Sequence, residues 1–307
     1  MAWGCLQQLR VSEAAFYLGL LRQREPDNVR ALMYEGWARE MLNVTDDAIE
    51  DYRHALDLQP DNYEARLRLA NCLLEANRAP EAFEHFLILL NRTPESELVR
   101  THLGRCYHGV GRLDEGCQIL DALLAEKPAY APALTARARL AVQLHDYAAA
   151  EAWLRETIRI DPTSYPSHYL LFECLQQQGK EKEAQIVKER MDRMKTDLAR
   201  VREIITTELA RTPQDPELYF EAGVISVRLG DNREAAKWFG GALRQNPQHV
   251  KSHAALMRLF QFLGDSDKAA HHRQFVPPDT PVVDLPFLAA PADAGSRESK
   301  PRPMRDR

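Results

Sequence analysis

The stretch AIEDYRHALDLQP at residues 48–60 returns in register as AFEHFLILLNRTP at 82–94 and GCQILDALLAEKP at 116–128. It returns again as AEAWLRETIRIDP at 150–162 and AAKWFGGALRQNP at 235–247. Pro26, Pro60, Pro94, Pro128 and Pro162 are each 34 residues apart, as are Pro213 and Pro247. A fixed period of this length marks a stack of equal units. Between Pro162 and Pro213 lie 51 residues, one period plus an insertion of 17.

Other residue types keep the same phase. Twelve residues before a proline stand Ala14, Ala48, Ala82, Gly116, Ala150 and Ala235, and twenty-four before stand Gly36, Ala70, Gly104, Ala138 and Gly223. Eight before stand Leu18, Tyr52, Phe86, Leu120, Leu154 and Phe239, and the small residues expected at 184 and 269 are Ala184 and Ala269. Two antiparallel helices approach closely only where one carries a hydrogen or a methyl group, and a bulky neighbour one turn on fills the space beside it. The proline follows the second helix, which it would block from continuing. Asn43, Asn77, Gly111, Gly179, Gly230 and Gly264 fall at the turn inside each hairpin, where a left-handed residue ends a helix.

This spacing and these residues resemble the tetratricopeptide repeat family, over about residues 1–274. The resemblance implies an all-α, right-handed superhelical solenoid of antiparallel hairpins, about seven of them after a partial first one. The phase places helix pairs at 29–58, 63–92, 97–126, 131–160, 165 onward, 216–245 and 250–274, after a lone second helix at 11–24. Residues 1–9 are too short for its partner, so the chain is expected to begin partway through a repeat, as a fragment or as a degraded cap.

The expected organisation is a repeat array over 1–180, an extended amphipathic helix over 181–211, two further repeats over 212–275 and a tail over 276–307. From Lys180 to Arg211 there is neither glycine nor proline, and Val187, Met191, Met194, Leu198, Val201, Ile205 and Leu209 step by threes and fours. That spacing predicts one long helix with an apolar stripe, serving as a joint between repeats or as a seam for a partner helix. The tail holds Pro277, Pro278, Pro281, Pro286, Pro291, Pro301 and Pro303 and reads as largely disordered. Its apolar cluster, Val282, Val283, Leu285, Phe287 and Leu288, reads as a linker remnant, as packing for the last hairpin, or as a motif that docks in a groove.

Composition narrows the function classes. Forty basic against forty-five acidic residues leave a net charge of -5, which argues against nucleic acid as the partner. No apolar run is long enough to span a bilayer, and the first residues carry no signal pattern, so a cytoplasmic location is favoured. The five cysteines are scattered without a C-x-x-C pair, and Cys72, Cys106 and Cys174 share one repeat phase, as packing positions do. No nucleophile elbow, P-loop, H-E-x-x-H or glycine-rich phosphate cradle occurs. The chain is read as non-catalytic, with no cofactor and no metal.

In the family the first helix of each pair lines the concave face, which is where a ligand is held. Twenty-six and twenty-three residues before each proline stand Tyr34 and Trp37, Arg68 and Asn71, His102 and Arg105, Ala136 and Arg139, then Glu221 and Val224. Tyr169 and Phe220 are further candidates on the same faces. The candidate groove is thus Tyr34, Trp37, Arg68, Asn71, His102, Arg105, Arg139, Tyr169 and Phe220, aromatic at the front, basic in the middle and partly apolar at the back. Its arginines either accept carboxylates or phosphorylated side chains of a ligand or are solvated charges paired with Glu64, Glu75 and their neighbours. The chaperone-tail clamp of some family members is not matched, because its points carry Leu67, Asn71, His102, Pro132 and Ala136. The expected role is an adaptor that holds a protein or peptide with acidic or aromatic side chains. The alternatives are a self-associating structural subunit and the docking region of a larger enzyme.

Overall fold

The computed structural model describes residues 11–281 and Leu285, with side chains from Tyr17 onward. The expectations for residues 1–9, 282–284 and 286–307 lie outside them. Helices occupy Val11–Arg24 (α1), Val29–Met41 (α2), Thr45–Leu58 (α3), Tyr63–Glu75 (α4), Ala79–Arg92 (α5), Glu97–Gly109 (α6) and Leu113–Glu126 (α7). They continue as Ala131–Gln143 (α8), Tyr147–Ile160 (α9), Tyr165–Gln177 (α10) and Glu181–Glu203 (α11). The last are Pro216–Leu229 (α12), Asn232–Gln245 (α13), Val250–Phe262 (α14) and Ser266–Arg273 (α15). The fold is all-α, a tandem of antiparallel hairpins whose helices fall where the prolines place them.

The chain divides into two compact units. The first comprises residues up to 160 with 170–181, the second residues 161–169 with those from 182 on. In the first, α2 pairs with α3, α4 with α5, α6 with α7 and α8 with α9, and each hairpin packs on the next through its second helix. In the second, α12 pairs with α13 and α14 with α15, and α13 packs on α14.

Local chemistry starts three of the first helices, α2, α4 and α6. Two residues after its proline, Asn28, Asn62 and Ser96 accept a hydrogen bond from the backbone N–H of Ala31, Ala65 and Val99. Each supplies a partner to a donor that the first turn leaves unpaired. At the inner turns Asn43, Asn77, Gly111, Gly179, Gly230 and Gly264 all have positive φ. His145 takes the same conformation at φ 59°.

The hairpin core rests on one repeated contact. A Cβ added to Gly36 would lie 2.7 Å from the Tyr52 ring, one on Gly104 2.7 Å from Leu120, and one on Gly223 2.5 Å from the Phe239 ring. The bulky partners Tyr52, Leu120 and Phe239 are fully buried. The first unit adds a buried ion network. Arg22 reaches Glu35 at 2.7 Å and Asp51 at 3.2 Å, and Arg39 also binds Asp51. Burial of the Asp51 carboxyl outweighs both arginines and pushes it up to about 6.

In the second unit α11 continues as a π turn over Ile204–Glu208 and a last turn over Leu209–Arg211. Its buried residues are Ala184, Met191, Met194, Asp197 and Ile204, whereas Leu198 and Ile205 of the expected stripe are about half exposed. Asp197 is accommodated by an ion pair with Arg228 at 2.9 Å. Ile204, at the start of the π turn, is thus buried where the stripe expected Ile205. Met194 and Ile204 pack with Leu218, Ala222, Ile225 and Leu229 of α12.

Gly223→Ala should lower stability by about 1–3 kcal/mol by overpacking against Phe239. Gly240→Ala, whose added Cβ meets only Arg244 Nη1 at 3.9 Å, should raise it by about 0.5–1 kcal/mol. Urea unfolding of the two variants reads both signs. Equal shifts would mean that the Gly223 contact is not a packing constraint.

Candidate functional site

The first helices of the first unit carry the candidate residues on successive turns, so each repeat adds one rung. At the front, Tyr34 and Trp37 are half-buried and engaged with neighbours. The Arg68 guanidinium lies 5.8 Å from the centre of the Trp37 ring, a cation–π distance. Arg68 also donates to Glu64 at 2.7 Å and to Glu40 at 3.2 Å. Its charge is therefore answered by two carboxylates of the protein. Glu40, which also accepts from Cys72 Sγ at 3.3 Å, was missed from sequence. Its place one turn beyond Trp37 on the same helix was the available signal.

The middle rungs differ. Arg105 donates to His102 Nδ1 at 3.3 Å and makes no ion pair, and Arg139 makes none either, among the described residues. Glu75 is near enough to act on Arg105 but not to pair with it. Burial, and next the charge of Arg139, lower the Arg105 pKa. Arg105 and Arg139 thus stand on neighbouring first helices, near enough for the Arg139 charge to act on Arg105, and neither makes an ion pair among the described residues.

The histidines beside them are held neutral. His102 stacks on Phe86 with centroids 5.4 Å apart and planes 3° apart. Burial first, and then Arg105, pull its pKa down to about 4. Since its Nδ1 accepts from Arg105, the ring carries its proton on Nε2. Burial and then Arg139 lower the pKa of His108 as well. Asn71 stands between Arg68 and Arg105 in the repeat order, half-buried, and its Oδ1 has no hydrogen-bond partner. Ala136, the small member of the next pair, is buried at 4% exposure and belongs to the core.

Tyr169 and Phe220 belong to the second unit. Tyr169 is 48% exposed. Phe220 packs on Phe239 and His249 at 5.7 and 5.8 Å, with the Lys251 ammonium 5.9 Å from its ring. Glu221 is held by a bidentate pair from Arg200 at 2.7 and 2.9 Å. The face of α12 therefore offers Phe220 and Val224 as its apolar positions.

The cysteines play no chemical part in this arrangement. Cys72, Cys106 and Cys174 are buried, and burial raises all three thiols, Cys106 to about 12 and Cys174 to about 11. Among the described residues no group of three or more His, Cys, Asp or Glu is placed to hold a metal ion, and no helix is long and apolar enough to cross a membrane.

Tandem antiparallel hairpins of this kind define a helical-repeat protein. Two tetratricopeptide repeat models match, over residues 45–100 and 101–165. Among solved structures, PilW, a widely conserved type IV pilus biogenesis factor, is 19% identical, with 62% of this chain and 88% of that chain covered at a TM-score of 0.54. A MamA structure from Desulfovibrio magneticus RS-1 is 19% identical, with 53% of this chain and 92% of that chain covered at a TM-score of 0.49. No curated protein matches the sequence. Residues 45–165 are thus tetratricopeptide repeats, and repeats of this kind support a protein-interaction scaffold in general terms.

The His102 ring should titrate with a midpoint near 4, read from its Cε1–H signal by NMR. Its folded value lies below the unfolded one, so its contribution to stability is complete above about pH 6.5 and is lost as pH falls toward 4. Arg105→Gln should move the midpoint upward but not to 6.5, because burial is the larger cause. An unchanged midpoint would remove Arg105 from the site.

Proposed function

We propose that the first unit binds an acidic segment of a protein partner, without catalysis, at Arg105 and Arg139, with His102, His108 and Asn71 around them. One observation carries this reading. Arg68 has two carboxylates and a tryptophan within the protein, whereas Arg105 and Arg139 have no carboxylate partner among the described residues. Two half-paired cations in a partly desolvated groove repel each other, and an incoming carboxylate relieves that repulsion. Guanidinium groups present forked donors that match a carboxylate or a phosphorylated side chain. A main-chain N–H of the bound segment would satisfy the orphan Asn71 Oδ1. The stack of Trp37 under Arg68 fits an aromatic or aliphatic residue in front of the acidic one.

The test uses the full chain and a fluorescein-labelled decapeptide of glutamates as the acidic probe. Arg105→Glu with Arg139→Glu should leave far-UV circular dichroism unchanged and weaken probe binding tenfold or more. Wild-type binding should also weaken as salt is raised, since exposed charge pairs are screened. Equal binding by the double variant would contradict the reading, and loss of helicity would make the two arginines structural.

A second reading, association of two copies through α11, draws on Ile186, Leu198 and Ile205, which are 63%, 49% and 48% exposed. Light scattering over a range of concentrations separates the two. A mass that stays that of one chain leaves the groove reading alone.

A further inference from the structure

The last hairpin departs from the small–bulky pairing of Gly36 with Tyr52, Gly104 with Leu120 and Gly223 with Phe239. One period beyond Phe239 stands Arg273, and one period beyond Gly223 stands Met257. In place of a glycine under a buried ring, Arg273 Nη1 meets Met257 Sδ at 4.0 Å. Helix α15 has 8 residues where α13 has 14. The bulky side chain that closes the Gly36, Gly104 and Gly223 hairpins is therefore missing from this one, and less second helix is present to cover the apolar residues of α13 and α14.

A residue beyond the hairpin makes up part of that deficit. Leu285 is 1% exposed and belongs to the cluster of Val227, Ala235, Phe239, Ala255, Leu256 and Leu259. Phe220 and Val224, the apolar positions on the face of α12, pack against the same cluster. The chain returns toward α14 soon after α15 ends, because Phe275 stacks on His253 with centroids 4.3 Å apart and planes 16° apart. From Phe275 to Pro281 the backbone makes only turn hydrogen bonds, Phe275 to His272, Val276 to Arg273 and Thr280 to Pro277. No helix or sheet ladder holds this stretch, so what seats Leu285 is its side chain.

We propose that the apolar slot of the second unit is a docking site for an aliphatic side chain on an extended segment, and that Leu285 of the same chain is its resident occupant. A covalently tethered ligand faces its site at an effective concentration on the order of millimolar. A free segment of the same kind therefore competes poorly with the intact chain and binds well once Leu285 is removed. The site shares no residue with the arginine pair of the first unit, so the two ideas stand or fall separately.

The probe is a fluorescein-labelled peptide of residues 279–288, DTPVVDLPFL, and the protein is the full chain with Leu285→Asp. Fluorescence anisotropy should show the variant binding this peptide at least tenfold more tightly than the wild type does. A peptide with aspartate in place of its leucine should not bind. Adding Val224→Glu to the Leu285→Asp chain should abolish binding, while Arg105→Glu with Arg139→Glu should leave it intact. The proposal is overturned if the helical Leu285→Asp chain does not take up the peptide. It is equally overturned if Leu285→Asp, or the milder Leu285→Ala, unfolds α12–α15 as judged by circular dichroism, since Leu285 would then be an integral core residue.

Discussion

Everything in this molecule depends on a close approach between two helices, made possible by a side chain that is absent. At Gly36, Gly104 and Gly223 there is no room for a methyl group, because Tyr52, Leu120 and Phe239 already occupy it. This contact sets how near the helices lie and which turns face outward. With the small position fixed twenty-four residues before each proline, the other turns of the same helix are not committed to this contact. Function in such an array is consequently a matter of what stands on the free turns, while the buried turns are committed to packing.

The free turns of the first unit are not equivalent. Arg68 is drawn into the protein by Glu40, Glu64 and Trp37. One repeat further on, the corresponding space contains His102, made neutral by burial on Phe86 and by Arg105 itself. The protein thus arranges aromatic and imidazole rings, in place of carboxylates, around Arg105 and Arg139. Such surroundings leave positive charge uncompensated in a partly dry groove, which is the condition under which an anionic side chain gains most from binding. The second unit follows a different logic, with Glu221 already paired and an apolar slot filled from within the chain.

Much of the fold was legible in the sequence because a 34-residue period ties each small residue to a bulky one and to a proline. The helices and most of the left-handed turns follow from that phase. What escaped reading had no periodic signature. At the π turn, Ile204–Glu208, it is Ile204 and not Ile205 that is buried, and Asp197 is buried only because Arg228 lies opposite. The groove positions could be listed from register, yet whether an arginine there is engaged depends on residues more than one turn or one repeat away. Glu40 decides it for Arg68, twenty-eight residues distant in the chain. The role of Leu285 was one of several open alternatives for the tail and became visible only through its burial.

The central claim is that Arg105 and Arg139 hold charge free for a ligand while Arg68 does not. The most direct measurement follows the arginine Nε–Hε signals by NMR as an acidic peptide is titrated into the intact chain. The account predicts that the Arg105 and Arg139 signals shift together, with one shared affinity, and that the Arg68 signal stays in place. Shifts centred on Arg68, or none at any of the three, would contradict it.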